Sequence, residues 1–144
     1  MHISAAGGVP QPLTKLKESE GSHRWPQFLP DGKTLLFTIA TTGTYDDATI
    51  AGYRMDTGEQ KILFSGGTFA RYVPAGYLAS SRAGTIMATP FAASRLEVLG
   101  TSAPVLEGVM SYGGTGAGQF DFSGLGLLVY VPGGPQSFGD LTMV

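Results

Sequence analysis

The chain contains no cysteine, which removes disulfides, thiolate metal sites and cysteine nucleophiles together. Charge is scarce as well: 14% of residues are charged, against roughly 25% in an average globular protein. Nine basic and eleven acidic side chains leave a net charge of −2, so there is no electrostatic footprint for DNA, RNA or an anionic membrane. No apolar run approaches the roughly 18 residues of a membrane-spanning helix. The first residues, MHISAAGGVPQ, have neither a basic segment nor an apolar one, and no export signal is read there. Helical periodicity is also missing, and TKLKESEGSH reads as a charged surface loop.

What remains is apolar and rich in turns. Apolar residues make up 42% of the 144, enough for the core of one domain. Glycine, at 22 residues, is about twice its usual frequency. Many turns with few charges point to an all-β chain.

The turns recur. In FLPDGKTLLF, Pro30 and Asp31 suit the centre of a type I turn, and Gly32 suits the left-handed position that closes a three-residue hairpin loop. YVPAGYLAS repeats the grammar with Pro74, Ala75 and Gly76, and FSGLGLLVY repeats it in degraded form with Gly126. An aromatic residue stands four positions before each glycine: Phe28, Tyr72 and Phe122. The glycines are 44 and 50 residues apart, the length of a four-stranded propeller blade of about 40 to 50 residues. KTLLFTIA and two runs about an Asp56-Thr57-Gly58 turn complete the first unit. YLASSRAG, TIMATPFA and LEVLGTSAPVLEG complete the second. The middle runs are nearly continuous in apolar residues, as expected of strands covered on both faces.

WPQFLPDGKTLLF resembles the TolB-like or WD40-like propeller repeat, with Pro26, Phe28, Pro30, Asp31, Gly32 and Lys33 on its pattern. ISAAGGVPQPLT is similar to the strand-turn-strand before such a unit. AGYLASSRAGTIMATPF and APVLEGV are similar to propeller segments of large bacterial proteins, including regions joined to protein kinase domains. In the third unit Ser123-Gly124-Leu125-Gly126 replaces Pro-Asp-Gly-Lys. The resemblance implies a propeller of bacterial, extracytoplasmic setting, and no particular activity.

The expected fold is therefore an all-β propeller of four-stranded antiparallel blades, about three per chain. Residues 1–17 complete another blade, 18–67 and 68–108 form whole blades, and 109–144 form an incomplete one. By this count MHISA is a third strand, PQPLTKL a fourth, and AGQFDF, LLVYV and DLTMV are the last runs. Closed propellers have about four to eight blades, and a cut sheet leaves unpaired edges. Two copies would close a six-bladed ring by exchanging edge strands, in the commonest oligomer symmetry. A homodimer is expected on that ground. An open fragment of a longer propeller and a β-sandwich are the competing architectures.

Candidate chemistry is sparse, and no cofactor or metal is expected. Of the two histidines, His2 and His23, the second opens the innermost strand of the first unit, where it reads as an exposed histidine beside a packed tryptophan. Asp46 and Asp47 stand in the loop joining second and third strands. They lack the spaced oxygen ligands of a calcium loop, so a solvated turn is the simpler reading. No Gly-x-Ser-x-Gly elbow occurs. The run Ser111 to Gly118 lacks the Lys-Ser or Lys-Thr ending of a phosphate loop, and reads as a flexible connection. Arg24, Arg71, Tyr72 and Asp121 fall on first strands, which line a propeller's axial channel. Salt pairing within the channel is the ordinary role for such charges. The function expected is a non-catalytic module that self-assembles and presents loops and a funnel to a protein or small polar ligand. The alternative is a hydrolase or lyase with Asp46, Asp47, Asp121 and Arg71 in the funnel. A half-ring whose only business is self-assembly is the third reading.

Overall fold

The computed structural model describes residues 1–136 of the chain. It is all-β, built from antiparallel sheets laid one on another along the sequence. The first sheet has the order β1 (Ser22–Phe28), β2 (Thr34–Ala40), β3 (Thr49–Arg54), β4 (Gln60–Ser65), each strand beside its sequence neighbour. The second runs β5 (Thr68–Val73), β6 (Tyr77–Arg82), β7 (Thr85–Ala92), with β8 (Glu97–Val98) and β9 (Ala103–Leu106) both paired to β7. A single fourth strand was expected there. The chain leaves the sheet after Val98 and returns at Ala103, and Pro104 enters the ladder opposite Met87 at a register shift, a position where a missing N–H is tolerated.

The three glycine turns form alike. The carbonyls of Leu29, Val73 and Ser123 accept the N–H groups of Gly32, Gly76 and Gly126 at 3.0, 3.0 and 2.9 Å. The glycines hold φ of 64°, 92° and 85°, where a Cβ is penalised. Asp31 braces the first turn, accepting from the backbone N–H groups of Lys33 and Thr34 at 2.9 and 2.8 Å and from the Thr34 hydroxyl at 2.6 Å.

β2 is covered on both faces, and one of those faces joins the two large sheets. Every residue of Thr34–Ala40 is buried. One face sends Leu36 into a cluster with Leu29 and the second sheet's Leu78, Phe91 and Leu96. The opposite face gathers Phe37 and Ile39 with Ala51 and Tyr53. A further cluster joins the far side of the second sheet, through Ala79 and Ile86, to Val109 and Phe120.

Beyond the second sheet the elements shorten. The Ser111–Gly118 run is not a flexible connection: β10 (Ser111–Tyr112) and β11 (Ala117–Gly118) pair across it as a hairpin. β12 (Phe120–Phe122) and β13 (Leu128–Tyr130) form a two-stranded sheet, and β14 (Pro135–Gln136) runs parallel to β10. The expected strand DLTMV lies outside the described residues. At the other end, MHISA and PQPLTKL form no continuous strands. They meet in a single antiparallel bridge, His2 with Gln11, whose reciprocal N–H to C=O bonds measure 2.8 and 2.9 Å. Pro10 and Pro12, without N–H groups, cannot extend a ladder on their side.

Candidate functional site

The first strands of the two large sheets each carry an irregularity. The pairing of β1 with β2 slips between Arg24 and Gln27, and that of β5 with β6 slips between Thr68 and Arg71. At these bulges Trp25 and Phe69 take φ of 56° and 54°, an uncommon conformation for large side chains. The bulges turn both rings into one aromatic row. Trp25 meets Phe69 at 5.3 Å between centroids, Phe69 meets Phe120 at 5.4 Å, and Phe120 meets Phe122 at 6.1 Å, all edge to face. That arrangement sets positive ring edges on negative faces.

Hydrogen bonds lock the row. The Trp25 indole N–H donates to the Thr115 carbonyl at 3.0 Å, and the Thr68 hydroxyl donates to the Gly116 carbonyl at 3.0 Å. The glycine-rich hairpin thus offers carbonyl acceptors to the neighbouring sheets. Two backbone N–H groups of β5 are taken up by side chains of the first sheet. Thr38 Oγ1 accepts from Phe69 at 3.1 Å, and Gln27 Oε1 accepts from Tyr72 at 2.8 Å.

Arg71 and Asp121 come together beside this row. The Arg71 guanidinium lies over the Phe69 ring, 3.9 Å from its centroid, and its Nε is 4.0 Å from Asp121 Oδ1. The side chains are 16% and 70% exposed. Burial pulls the Arg71 pKa below its ordinary value, and the Asp121 carboxylate opposes that shift. One Nη of Arg71 donates to the Ala70 carbonyl at 3.1 Å. The pair is a half-buried cation over a ring, with an exposed counterion.

The other candidates lie elsewhere. Arg24 donates to Ser22 Oγ at 2.9 Å and sits 5.4 Å from the Tyr45 ring centroid. Tyr72 turns its ring to Phe91, 6.4 Å away, in the cluster between the first two sheets. Asp46 and Asp47 occupy a short 3-10 turn, Tyr45–Asp47. Asp46 Oδ1 accepts the Ala83 N–H at 2.8 Å, and Asp47 Oδ2 accepts the Thr44 hydroxyl at 3.2 Å. Asp46 therefore tethers the first sheet's loop to the β6–β7 turn, where Ala83 has a φ of 47°. Among the described residues no group of three or more His, Asp or Glu side chains could hold a metal ion. His23 is half-buried, its ring between Thr14 Oγ1 at 2.8 Å and Glu20 Oε2 at 3.1 Å and tilted against Phe37 at 4.8 Å. It tethers the amino-terminal arm.

Of the six candidates, then, Arg71 and Asp121 meet, while Arg24 stands by the turn that carries Asp46 and Asp47. The aromatic row was not read from the sequence, although a signal was present. Trp25 and Phe69 each stand seven residues before a turn glycine. In the third unit that position is Gln119, and the adjacent Phe120 supplies the ring instead. Comparison with models of protein families, with curated proteins and with solved structures finds no match.

Proposed function

We propose that the chain is half of a β-propeller of the TolB-like or WD40-like kind, a non-catalytic interaction module that closes into a ring with a second copy. Three features support this reading. Successive antiparallel sheets stack on one another, their turns repeat at blade-like spacing, and the first strands β1, β5 and β12 bring their aromatic residues into one row. In such a ring the first strands would surround the axis. Arg24, Arg71 and Asp121 would then face a protein or small polar ligand from the funnel, twice over by symmetry.

The observation that carries the reading is that, among the described residues, the sheet after the two large ones has only two strands and is apolar on its exposed side. The two-stranded β12–β13 sheet follows sheets of four and five strands. Leu125, Leu127, Val129, Tyr130 and Val131 are exposed there. Such a cluster of exposed apolar side chains marks a contact surface.

The test is the mass in solution, by light scattering coupled to size exclusion over a hundredfold dilution. A mass twice the 15.0 kDa of the chain, persisting on dilution, supports the ring. A monomer at every concentration overturns it.

A further inference from the structure

The two longest stretches without Lys, Arg, Asp or Glu are residues 1–14 and 122–139. Residues 1–14 and 122–136 lie at opposite ends of the stack. Residues 1–12 are all exposed, and so are 123–127 and 129–133. Exposed strand edges are ordinarily protected by lysine, proline or other charge. The outer strands of the two large sheets follow that rule, with Lys61 on β4 and Pro104 on β9. β13, Leu-Val-Tyr, has neither, and among the described residues it is paired on one side only, to β12.

The arm at the other end is a ribbon with two unlike edges. His2 and Gln11 exchange both backbone bonds, so the alternate positions Pro10 and Pro12 face outward on one edge without donors. Ile3, next to His2, faces outward on the other edge and retains its N–H. One edge is closed by proline and the other is open to a strand. Beneath the arm is a cavity of about 740 Å³, lined by Ile3, Val9, Leu13, Phe28 and Leu35 among others. The apolar side chains exposed at the far end include Leu125, at 99%, and Leu127, at 68%.

We infer that the open Ile3 edge of one copy takes β13 of a second copy as its neighbouring strand, with Leu125 and Leu127 of that copy entering the cavity under the arm. This rests on the proposed ring and names the strands that close it. The occupant is a second copy because the arm packs on the outer face of the first sheet, where Leu35 lines the cavity. The first and second sheets stand between that face and the chain's own β13. Both surfaces are uncharged, so pairing them buries no unpaired charge. The proline edge ends the assembly at one added ribbon.

The absence of cysteine makes the test clean. Ile3→Cys protein is mixed with Leu128→Cys, Val129→Cys or Tyr130→Cys protein in turn and oxidised. A disulfide between two different single-cysteine chains is necessarily intermolecular. At one of the three tail positions the mixed disulfide should exceed either like-with-like product by at least tenfold. Ile3→Pro, which removes the donor on the open edge, should weaken dimerisation on dilution at least tenfold, while the circular dichroism of the sheets is retained. A dimer by light scattering without a mixed disulfide at any tail position, or unaffected by Ile3→Pro, overturns this strand assignment and leaves the ring standing. A monomer overturns both.

Discussion

Trp25 and Phe69 occupy the same position in two successive units, 44 residues apart, each with a left-handed φ and with their rings edge to face at 5.3 Å. A bulge in each first strand produces both conformations. Left-handed backbone costs a residue with a Cβ roughly 1–2 kcal/mol. The contacts of the aromatic row are what hold it.

Replacing Phe69 separates these terms. Phe69→Ala should cost about 3–5 kcal/mol through loss of a ring buried between Trp25 and Phe120. Phe69→Gly loses the same ring but relieves the left-handed strain, so it should be no less stable than Phe69→Ala. In an ordinary strand glycine is the worse of the two by about 0.5–1 kcal/mol. Denaturant unfolding followed by the fluorescence of the single tryptophan, Trp25, gives both values. Alanine the more stable would mean that residue 69 is not left-handed.

Thr38 is fully buried and accepts the Phe69 N–H, which the bulge has taken out of its own ladder. Thr38→Val keeps the shape and removes the acceptor. The orphaned N–H should cost about 1–3 kcal/mol. Thr38→Ser restores the acceptor and should recover part of that loss despite the missing methyl. Serine no better than valine would show that the bond contributes nothing.

The local grammar of this fold was legible because it is written in neighbouring residues. Pro30-Asp31-Gly32 and Pro74-Ala75-Gly76 specify turns by their own φ preferences, and TIMATPFA matches β7 residue for residue. The site was less legible because its partners are far apart in sequence. The acceptor for Trp25 is the backbone of Thr115, and that for Tyr72 is the side chain of Gln27. Neither has a composition or spacing signal. Tyr72 is expected in the channel only because it falls on a first strand; it is the neighbour of Arg71, and its ring packs between the sheets against Phe91. The adjacent carboxylates Asp46 and Asp47 drew attention as a pair, although Asp46 serves a turn 37 residues away.

Gly52 marks a close approach between the sheets. A Cβ there would lie 2.6 and 2.8 Å from the two methyl carbons of Leu96, which is itself buried in the cluster that joins the sheets. Gly52→Ala should therefore destabilise by about 1–3 kcal/mol through overpacking, although alanine is normally the better strand residue. Gly52→Ala combined with Leu96→Ala should cost less than the sum of the two single changes, because the second removes the clash. Additive costs in thermal or chemical unfolding would show that the two residues do not touch.

Asp31 predicts an acid response. The Thr34 hydroxyl, then the Lys33 N–H, hold its pKa below the ordinary carboxylate value, with smaller help from the Thr34 N–H and Arg54. A carboxyl lowered in the folded state contributes stability above its unfolded pKa, near 3.9, and loses it as pH falls through the folded value. Asp31→Asn should thus be less stable than the parent at neutral pH, and the gap should close below about pH 4. Unfolding midpoints between pH 7 and pH 2.5 measure it. A gap independent of pH would remove the charge from the account.

Arg71 and Asp121 distinguish ring stacking from ion pairing. Asp121 is 70% exposed and 4.0 Å from Arg71 Nε, a pair expected to contribute at most about 1 kcal/mol. The guanidinium is largely covered and lies 3.9 Å from the Phe69 centroid, so its planar stack and its stem make the larger contribution. Asp121→Ala should change stability by under about 1 kcal/mol. Arg71→Ala should cost more, and Arg71→Lys should lie between the two because an ammonium keeps the charge but loses the planar stack. Raising the salt concentration should reduce the effect of Asp121→Ala and leave most of that of Arg71→Ala, since screening acts on the exposed pair. If the two alanine variants cost the same and respond alike to salt, the ion pair, and not the ring, is what holds Arg71 in place.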